Sequence, residues 1–407
     1  MRRTTPTPER YTRCSCPHPH CARFNRPGEG NIAHRSWTGT HKHIERLRCT
    51  TCGREFSERE GTLMARSKLP EETVIQRMKW QRWGVCDAGT ADICAVDRKT
   101  VYRCQRVAAQ RAVTHHQQSV QNLAVQGVQW DEAHTKLRPT QVEWVHTALA
   151  MGRWFLLWVD VGPRTQETAA VLIAQVIARP RALPLFLTDG WQASTAALLQ
   201  VVGVVYRRRR RGTVGRKPKP RLVAPKALFY AHVVKVRTTA GQVVEVSRRV
   251  VVGGPRRFGK QWRLRQLGET IQTALMARWY GTVRGLVAPL RRRTRCLSWC
   301  RARHRGKVWL LVSLYNFVMP HKSLRQGHPQ RTPAMAIGLT DHVWSSREYI
   351  WLPVHTDPVL TKQMDERIAR LLTPALQDQP KGRTQAPPPA EAIDEHEKEA
   401  APLPKAA

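Results

Sequence analysis

A multidomain α/β protein is predicted by three features of this chain. Five of its ten cysteines fall within residues 10–60, three short helical patterns follow over 69–118, and strand-like and helix-like segments then alternate from about 123 to 206. The 407 residues suffice for two to four folded units, and 41% apolar residues with 14 Trp exclude a wholly disordered polycation. The balance of 68 Lys plus Arg against 30 Asp plus Glu gives a net charge of +38. A charge of that size self-repels unless a polyanion neutralises it, and nucleic acid is the commonest polyanion.

Residues 10–62 carry Cys16-Pro17-His18-Pro19-His20-Cys21 and Cys49-Thr50-Thr51-Cys52 amid Pro, Asn and Gly clusters. Apolar periodicity there is too sparse for an unaided core. Two cysteine pairs on separate knuckles can surround one zinc tetrahedrally, and Zn–S bonding then supplies the missing folding energy. Cys16, Cys21, Cys49 and Cys52 are the expected ligands, with Cys14, His18, His20 and His34 as spare donors for the first pair.

Within 69–118, Pro70 and the acids Glu71 and Glu72 open a helix on which Val74, Met78 and Gln81 mark one face, and Gly84 ends it. A second helix runs from Asp87 to Cys94, a turn follows at Ala95-Val96-Asp97, and a basic third helix covers Arg98 to Arg111. That is a helix-turn-helix pattern. Arg98, Lys99, Thr100, Tyr102 and Arg103 would face base edges and phosphates.

The α/β segment is read as strands at Val125–Trp130, Trp154–Val159, Leu183–Leu187 and Val204–Tyr206, with helices at Thr168–Ile177 and Ser194–Val201. Asp131 and Glu132 follow the first strand, Asp160 closes the second and Asp189 follows the third. Acids converging at strand ends can hold two Mg²⁺ or Mn²⁺ ions for phosphoryl transfer, although a strand-end Asp is also a common helix cap. A basic tract and β-hairpin insertion is expected over about 207–268, with the hairpin strands at Phe229–Val236 and Gln242–Val252. Helical character returns at Glu269–Leu290 and Lys307–Val318.

The tracts 207–221, including Arg207, Arg208, Arg209, Arg210 and Arg211, and 284–307, including Arg284, Arg291, Arg292 and Arg293, each hold nine basic residues and no acid. They are the expected phosphate-binding surfaces, joined by Arg278. Trp279, Tyr280 and Trp299 interleave with them and either stack on bases or fill core. The tail 373–407 is rich in Pro, Ala, Gln and charge, a composition that predicts disorder. The start, Met1-Arg2-Arg3-Thr4-Thr5-Pro6, has no apolar core of a secretory signal, and the longest charge-free apolar run, Trp309 to Pro320, is too short to span a bilayer. A cytoplasmic, nucleoid-associated location with no membrane partner is therefore expected.

The order of these parts resembles bacterial insertion-sequence transposases of the DDE class that join a zinc ribbon and a helix-turn-helix to an integrase-like core. The matching residues are Leu47 to Ser57 with Gly61-Thr62, Lys99 to Arg103, Trp130-Asp131-Glu132, Leu187-Thr188-Asp189-Gly190, Tyr315-Asn316-Phe317, Pro320 to Leu324 and Arg331 to Ala336. They cover roughly residues 14–350 in the expected order. The resemblance implies a ribonuclease-H-like catalytic domain over 123–352, with Asp131 and Asp189 as magnesium ligands. It also implies end cleavage followed by strand transfer into target DNA, performed by a homo-oligomer on inverted-repeat ends. The family's third acid precedes Arg on a helix; here the position is Ala277, before Arg278-Trp279. Glu269 lies eight residues upstream, about 12 Å along a helix, too far to substitute. Impaired catalysis is the expectation, and a non-enzymatic DNA-binding regulator derived from such a transposase is the alternative.

Overall fold

The structure is a computed structural model describing residues 11–40, 43–206, 219–240, 242–291, 293–325 and 330–373. Arg207–Arg211, Arg292 and the tail from 374 onward lie outside the described residues. The chain divides into two units, Met1–Val120 with Val283–Gln363, and Gln121–Thr282 with Met364–Ala407.

The first unit opens with the antiparallel sheet β1 (Ile32–Thr38), β2 (Ile44–Cys49) and β3 (Glu55–Ser57). Its core consists of Tyr11, Cys16, Cys21, Ile32, Leu47, Cys49 and Phe56. Three of these seven are cysteines, so ordinary apolar burial contributes little there. Helix α1 (Glu71–Arg82) starts after Pro70 with both acids in its first turn, and it buries Val74 and Met78 as the spacing predicts. In α2 (Asp87–Ile93) the first turn is capped by Cys86, whose sulfur accepts from the Gly89 N–H. Asp97 caps α3 (Arg98–Ser119) through the Lys99 N–H at 2.6 Å. That helix outruns its expected end at Arg111 because Ala108, Ala109, Ala112 and His116 continue one buried stripe.

In the second unit, β4 (Gly127–Lys136), β5 (Val142–Ala150) and β6 (Phe155–Gly162) form an antiparallel meander. Helix α4 (Gln166–Ile177) crosses to β7 (Leu185–Thr188), parallel to β4, and α5 (Gln192–Val202) leads to a separate pair, β8 (Val204–Tyr206) and β9 (Arg221–Val223). Then β10 (Tyr230–Arg237) runs parallel to β7, and β11 (Val243–Val252) closes the order β11-β10-β7-β4-β5-β6. This six-stranded mixed sheet carries α6 (Pro255–Leu264), whose Phe258 and Trp262 pack on Leu185, Leu187, Ala231 and Val233.

The hairpin is no insertion, because the alternating Ala231 and Val233 bury one face of β10 against β7 and α6. Val204–Tyr206 pairs with β9 rather than joining the sheet. Strand β5, which the sequence pattern does not mark, is buried from Val145 to Ala150 and so shows no alternation. Helix α7 (Ala274–Leu286) also begins later than Glu269, which sits with Gly268, at φ +103°, in the turn before it.

The first unit resumes with α8 (Arg301–Phe317), α9 (Pro333–Ala336) and α10 (Ser346–Trp351); α11 (Pro358–Leu372) follows. Helix α8 is buried along most of its length from Val308, and it packs on α3 with Gly306 where a Cβ would lie 3.2 Å from that of Ala109. Lys307 pairs with Asp87 of α2 at 2.7 Å. The expected single stretch 123–352 therefore contributes to both units.

Candidate metal centres

Cys16, Cys21, Cys49 and Cys52 come together with their sulfurs all within 4.8 Å of one another. Cys16 Sγ lies 3.5 Å from Cys52 Sγ, and Cys21 Sγ lies 3.9 Å from Cys49 Sγ. Four sulfurs on a zinc at 2.3 Å would be about 3.8 Å apart along each tetrahedral edge. The donor set fits, and the cluster could bind zinc. Cys49 ends β2, and the turn that follows is closed by the Gly53 N–H on the Cys49 carbonyl, with Gly53 at φ +76°. The first knuckle is held by the Cys21 N–H on the His18 carbonyl.

Burial alone would raise the Cys49 thiol, but the backbone N–H groups of Cys52 and Thr51 and the Asn31 amide, 3.2 Å from the sulfur, bring it down to about 7. Burial raises Cys16 and Cys21. Of the spare donors, His34 is engaged with Glu45 at 2.7 Å, and Cys14, pushed up to about 11 by burial and then by Glu58 and Glu45, stands outside the cluster, as do His18 and His20.

The second cluster joins Asp131, Glu132 and Asp189, whose carboxylate oxygens also lie within 4.8 Å of one another. Its geometry follows from strand register. In the parallel pair β4·β7, Gln129 lies opposite Leu187, so two residues further on Asp131 and Asp189 reach the same level. Asp189 leaves β7 and accepts from the Trp191 N–H at 3.1 Å. Between them, Gly190 at φ +94° allows a close turn where a Cβ would come 2.8 Å from Val234.

Asp131 lies within β4 rather than past its end, and its carboxylate accepts from the Glu132 N–H at 2.7 Å. Glu132 is buried and receives the Arg164 Nε at 2.6 Å, while that guanidinium lies over the rings of Trp144 and Trp191 at 4.8 and 4.9 Å. Asp160 falls inside β6 and does not belong to the cluster. Ala277 is exposed on α7; one turn on, the buried Tyr280 donates to the backbone carbonyls of Asp131 at 2.6 Å and Val145 at 3.0 Å. Of the strand-end acids the sequence offers, Asp131, Glu132 and Asp189 join the cluster and Asp160 does not.

Burial, then the charges of Asp189 and Glu132, raise Asp131 to about 7; burial and then Asp189 raise Glu132 against the opposing Arg164. Asp131 and Glu132 therefore both resist ionisation beside Asp189, a tension that one divalent cation would relieve. The donor set suits such a cation. In metal-free protein, the fold opposes Asp131 ionisation between 3.8 and about 7, so stability should fall as pH rises through that window and stay flat above it. Melting in EDTA should show that Asp131→Asn removes at most about 3 kcal/mol of this loss between pH 5 and 8. Identical pH dependence in the variant would discard Asp131 as its source.

The expected nucleic-acid contacts are only partly in view. Arg98, Lys99 and Arg103 are exposed on α3, as is Arg106, while Thr100 is half-buried and Tyr102 lies under the Arg303 guanidinium at 4.1 Å. Arg278 is exposed with its guanidinium over Trp154, and Arg291 and Arg293 are exposed, Arg284 half-buried. Trp279 and Tyr280 are buried and so unavailable for base stacking; Trp299 is 58% exposed. Among the described residues no helix is long and apolar enough to cross a membrane. No protein-family model matches the chain, and no curated protein matches it.

Proposed function

We propose that the chain is a DNA-binding protein of the DDE-transposase kind, with a zinc ribbon at 10–62, a helix-turn-helix at 69–118 and a ribonuclease-H-like domain that has lost part of its catalytic set. One observation carries the reading: Asp131 and Asp189, 58 positions apart, meet from neighbouring parallel strands in a chain of net charge +38. Scarce acids brought together where base is everywhere else in excess are suited to holding divalent cations against a polyanion.

Asp131 and Asp189, with Glu132 beside them, would hold the Mg²⁺ or Mn²⁺, which when bound activates the attacking oxygen and stabilises the leaving one in phosphoryl transfer. Tyr280 ties the β4 backbone at Asp131 to the β5 backbone at Val145 through its contacts with both carbonyls, and Arg164 holds Glu132 in place. The exposed bases of α3 would take duplex phosphates and base edges, and the basic stretch 284–307 would track the backbone. A homo-oligomer on paired inverted-repeat ends belongs to the same reading.

A second reading, a non-enzymatic regulator, is favoured by Ala277 and by Arg164, which already neutralises Glu132. The full chain and Ala277→Glu should be compared for nicking and strand transfer in Mn²⁺. We expect salt-sensitive duplex binding by both, with log K falling about 0.9 per phosphate contact against log salt. Nicking should be near background in the natural chain and rise about 100-fold or more in Ala277→Glu, the gain vanishing when Asp189→Asn is added. Binding without any gain selects the regulator; no salt-sensitive binding overturns both readings.

A further inference from the structure

The loop 293–300, which leads into α8, stands beside the helix-turn-helix pattern of the first unit although it is far from it in sequence. Three contacts place it there. A Cβ on Gly84, at the corner between α1 and α2, would lie 2.7 Å from the Gly285 carbonyl oxygen and 2.6 Å from Arg291 Nη2. The Cys296 and Cys86 thiols are in hydrogen-bond contact, and Cys86 caps α2. In the first turn of α8, the Arg303 guanidinium lies over the Tyr102 ring of α3 at 4.1 Å.

Trp299 breaks two rules of folding in that loop. It is 58% exposed, and its φ of +65° lies in the left-handed region, where a bulky side chain is strained. The residue before it is anchored, since Ser298 is buried and its Oγ bonds Nδ1 of the buried His304 at 2.9 Å. The chain thus leaves a fixed point and turns an indole outward. Neither feature helps the fold, because such a backbone favours glycine and an exposed indole leaves apolar area in water. Arg295 and Arg301 on either side are exposed, and no acid falls between 284 and 307. Tyr102 shares the start of α3 with the exposed Arg98, Lys99 and Arg103. An indole set among cations matches a nucleobase on its phosphates, for every base offers a π face and guanidinium groups take the backbone beside it.

We propose that the loop 293–300 is a second DNA-contacting element beside α3, on which Trp299 stacks against a base exposed at an unpaired or distorted step of the duplex. The inference rests on the DNA-binding reading above and adds a task to it. Helix α3 takes phosphates and base edges in a groove, whereas Trp299 detects an open step next to that footprint. Inserting a side chain into an intact duplex costs the unstacking of a base step. An unpaired base is offered without that cost, so DNA carrying one should bind more tightly than the same DNA fully paired.

Titration of the full chain into two duplexes of one sequence tests the stacking, one fully paired and one carrying a single bulged 2-aminopurine, a base whose fluorescence falls on stacking. The natural chain should prefer the bulged duplex about tenfold, as one base–aromatic contact allows, and should quench the bulged base. Trp299→Ala should bind both duplexes alike and leave that base bright. It should keep the natural salt slope on the paired duplex, which shows that the variant is folded and has lost no phosphate contact. Trp299→Phe should recover part of the preference, about threefold. Equal binding of the two duplexes by the natural chain, or a preference and quenching that survive Trp299→Ala, overturns the stacking role while the DNA-binding reading stands. A natural chain that binds neither duplex overturns that reading and the stacking role with it.

Discussion

Cys49→Ser should remove stoichiometric zinc from the purified chain and unfold residues 11–57, the largest structural loss expected from any single substitution here. The reason lies in what else holds that module. Among the described residues its core buries Tyr11, Ile32, Leu47 and Phe56 besides the cysteines, with Phe24 partly buried against them, and the three strands β1 to β3 offer one ladder of antiparallel pairing on each side of β2. Such a core does not offset the ordering of some fifty residues, at about 1–2 kcal/mol each for the backbone alone. Binding at a four-thiolate structural site contributes about 10–16 kcal/mol at neutral pH, and that energy is folding energy where no site exists in the unfolded chain.

Cys49 is the most sensitive of the four. It is buried, it ends β2, and the Asn31 amide and turn N–H groups already favour its thiolate near pH 7. Metal analysis of the natural chain should give about one zinc, and none above background in the variant. Hydrogen exchange should show Ile32 to Ser57 protected only in the zinc-loaded protein. Equal protection in a natural chain stripped of metal would mean that the apolar residues suffice.

The helices before residue 120 were legible because local chemistry specifies them: Pro70 with two acids, Asp97 as a cap, and Val74 and Met78 one turn apart. The end of α3 was not, since its last turns are held by α8, more than 180 positions away in sequence, through contacts such as His116 against Trp309. Sheet order was similarly hidden. Buried strands such as β5 show no period-2 signal, and the hairpin resembled an appendage until the parallel pairing of Tyr230–His232 with Phe186–Thr188 drew β10 into the sheet. The two acids Asp131 and Asp189 were identified by position in the sequence. That Glu132 joins them while Asp160 does not, and that an arginine over two tryptophans holds it, depends on side-chain convergence that no spacing encodes.

Acidification should unfold the first unit before the second, and the buried histidines decide the order. His304 and His355 are 0% and 8% exposed, and burial lowers both from 6.5 to about 4. His304 bonds Ser298 Oγ at 2.9 Å and lies near Lys307. His355 is wedged against Gly61, where a Cβ would meet its ring at 2.5 Å, and beside it Arg111 donates to the carbonyls of Gly61 and Leu352. Protonating His355 would thus add a cation next to a buried guanidinium. His115, partly buried between Phe317 and Trp344, is also lowered to about 4.

A histidine whose folded pKa is depressed contributes full stability above 6.5, and that contribution is lost as pH falls toward the folded value. At about 1.4 kcal/mol per unit, His304 and His355 together put an upper limit of roughly 6–7 kcal/mol on the loss between pH 6.5 and 4. The second unit carries shifts of both signs. His232, lowered to about 4, loses stability in acid as the others do, whereas Asp131, raised to about 7, gains it as pH falls through the same window. These contributions largely cancel there and add in the first unit. Denaturant melts of the natural chain should therefore separate into two transitions near pH 4.5, the earlier one reported by hydrogen exchange in α8. His355→Gln, neutral at every pH, should shrink that early shift by about 3 kcal/mol or less. A single transition with the same midpoint at pH 7 and 4.5 would mean that these imidazoles are solvated enough to ionise without disturbing the fold.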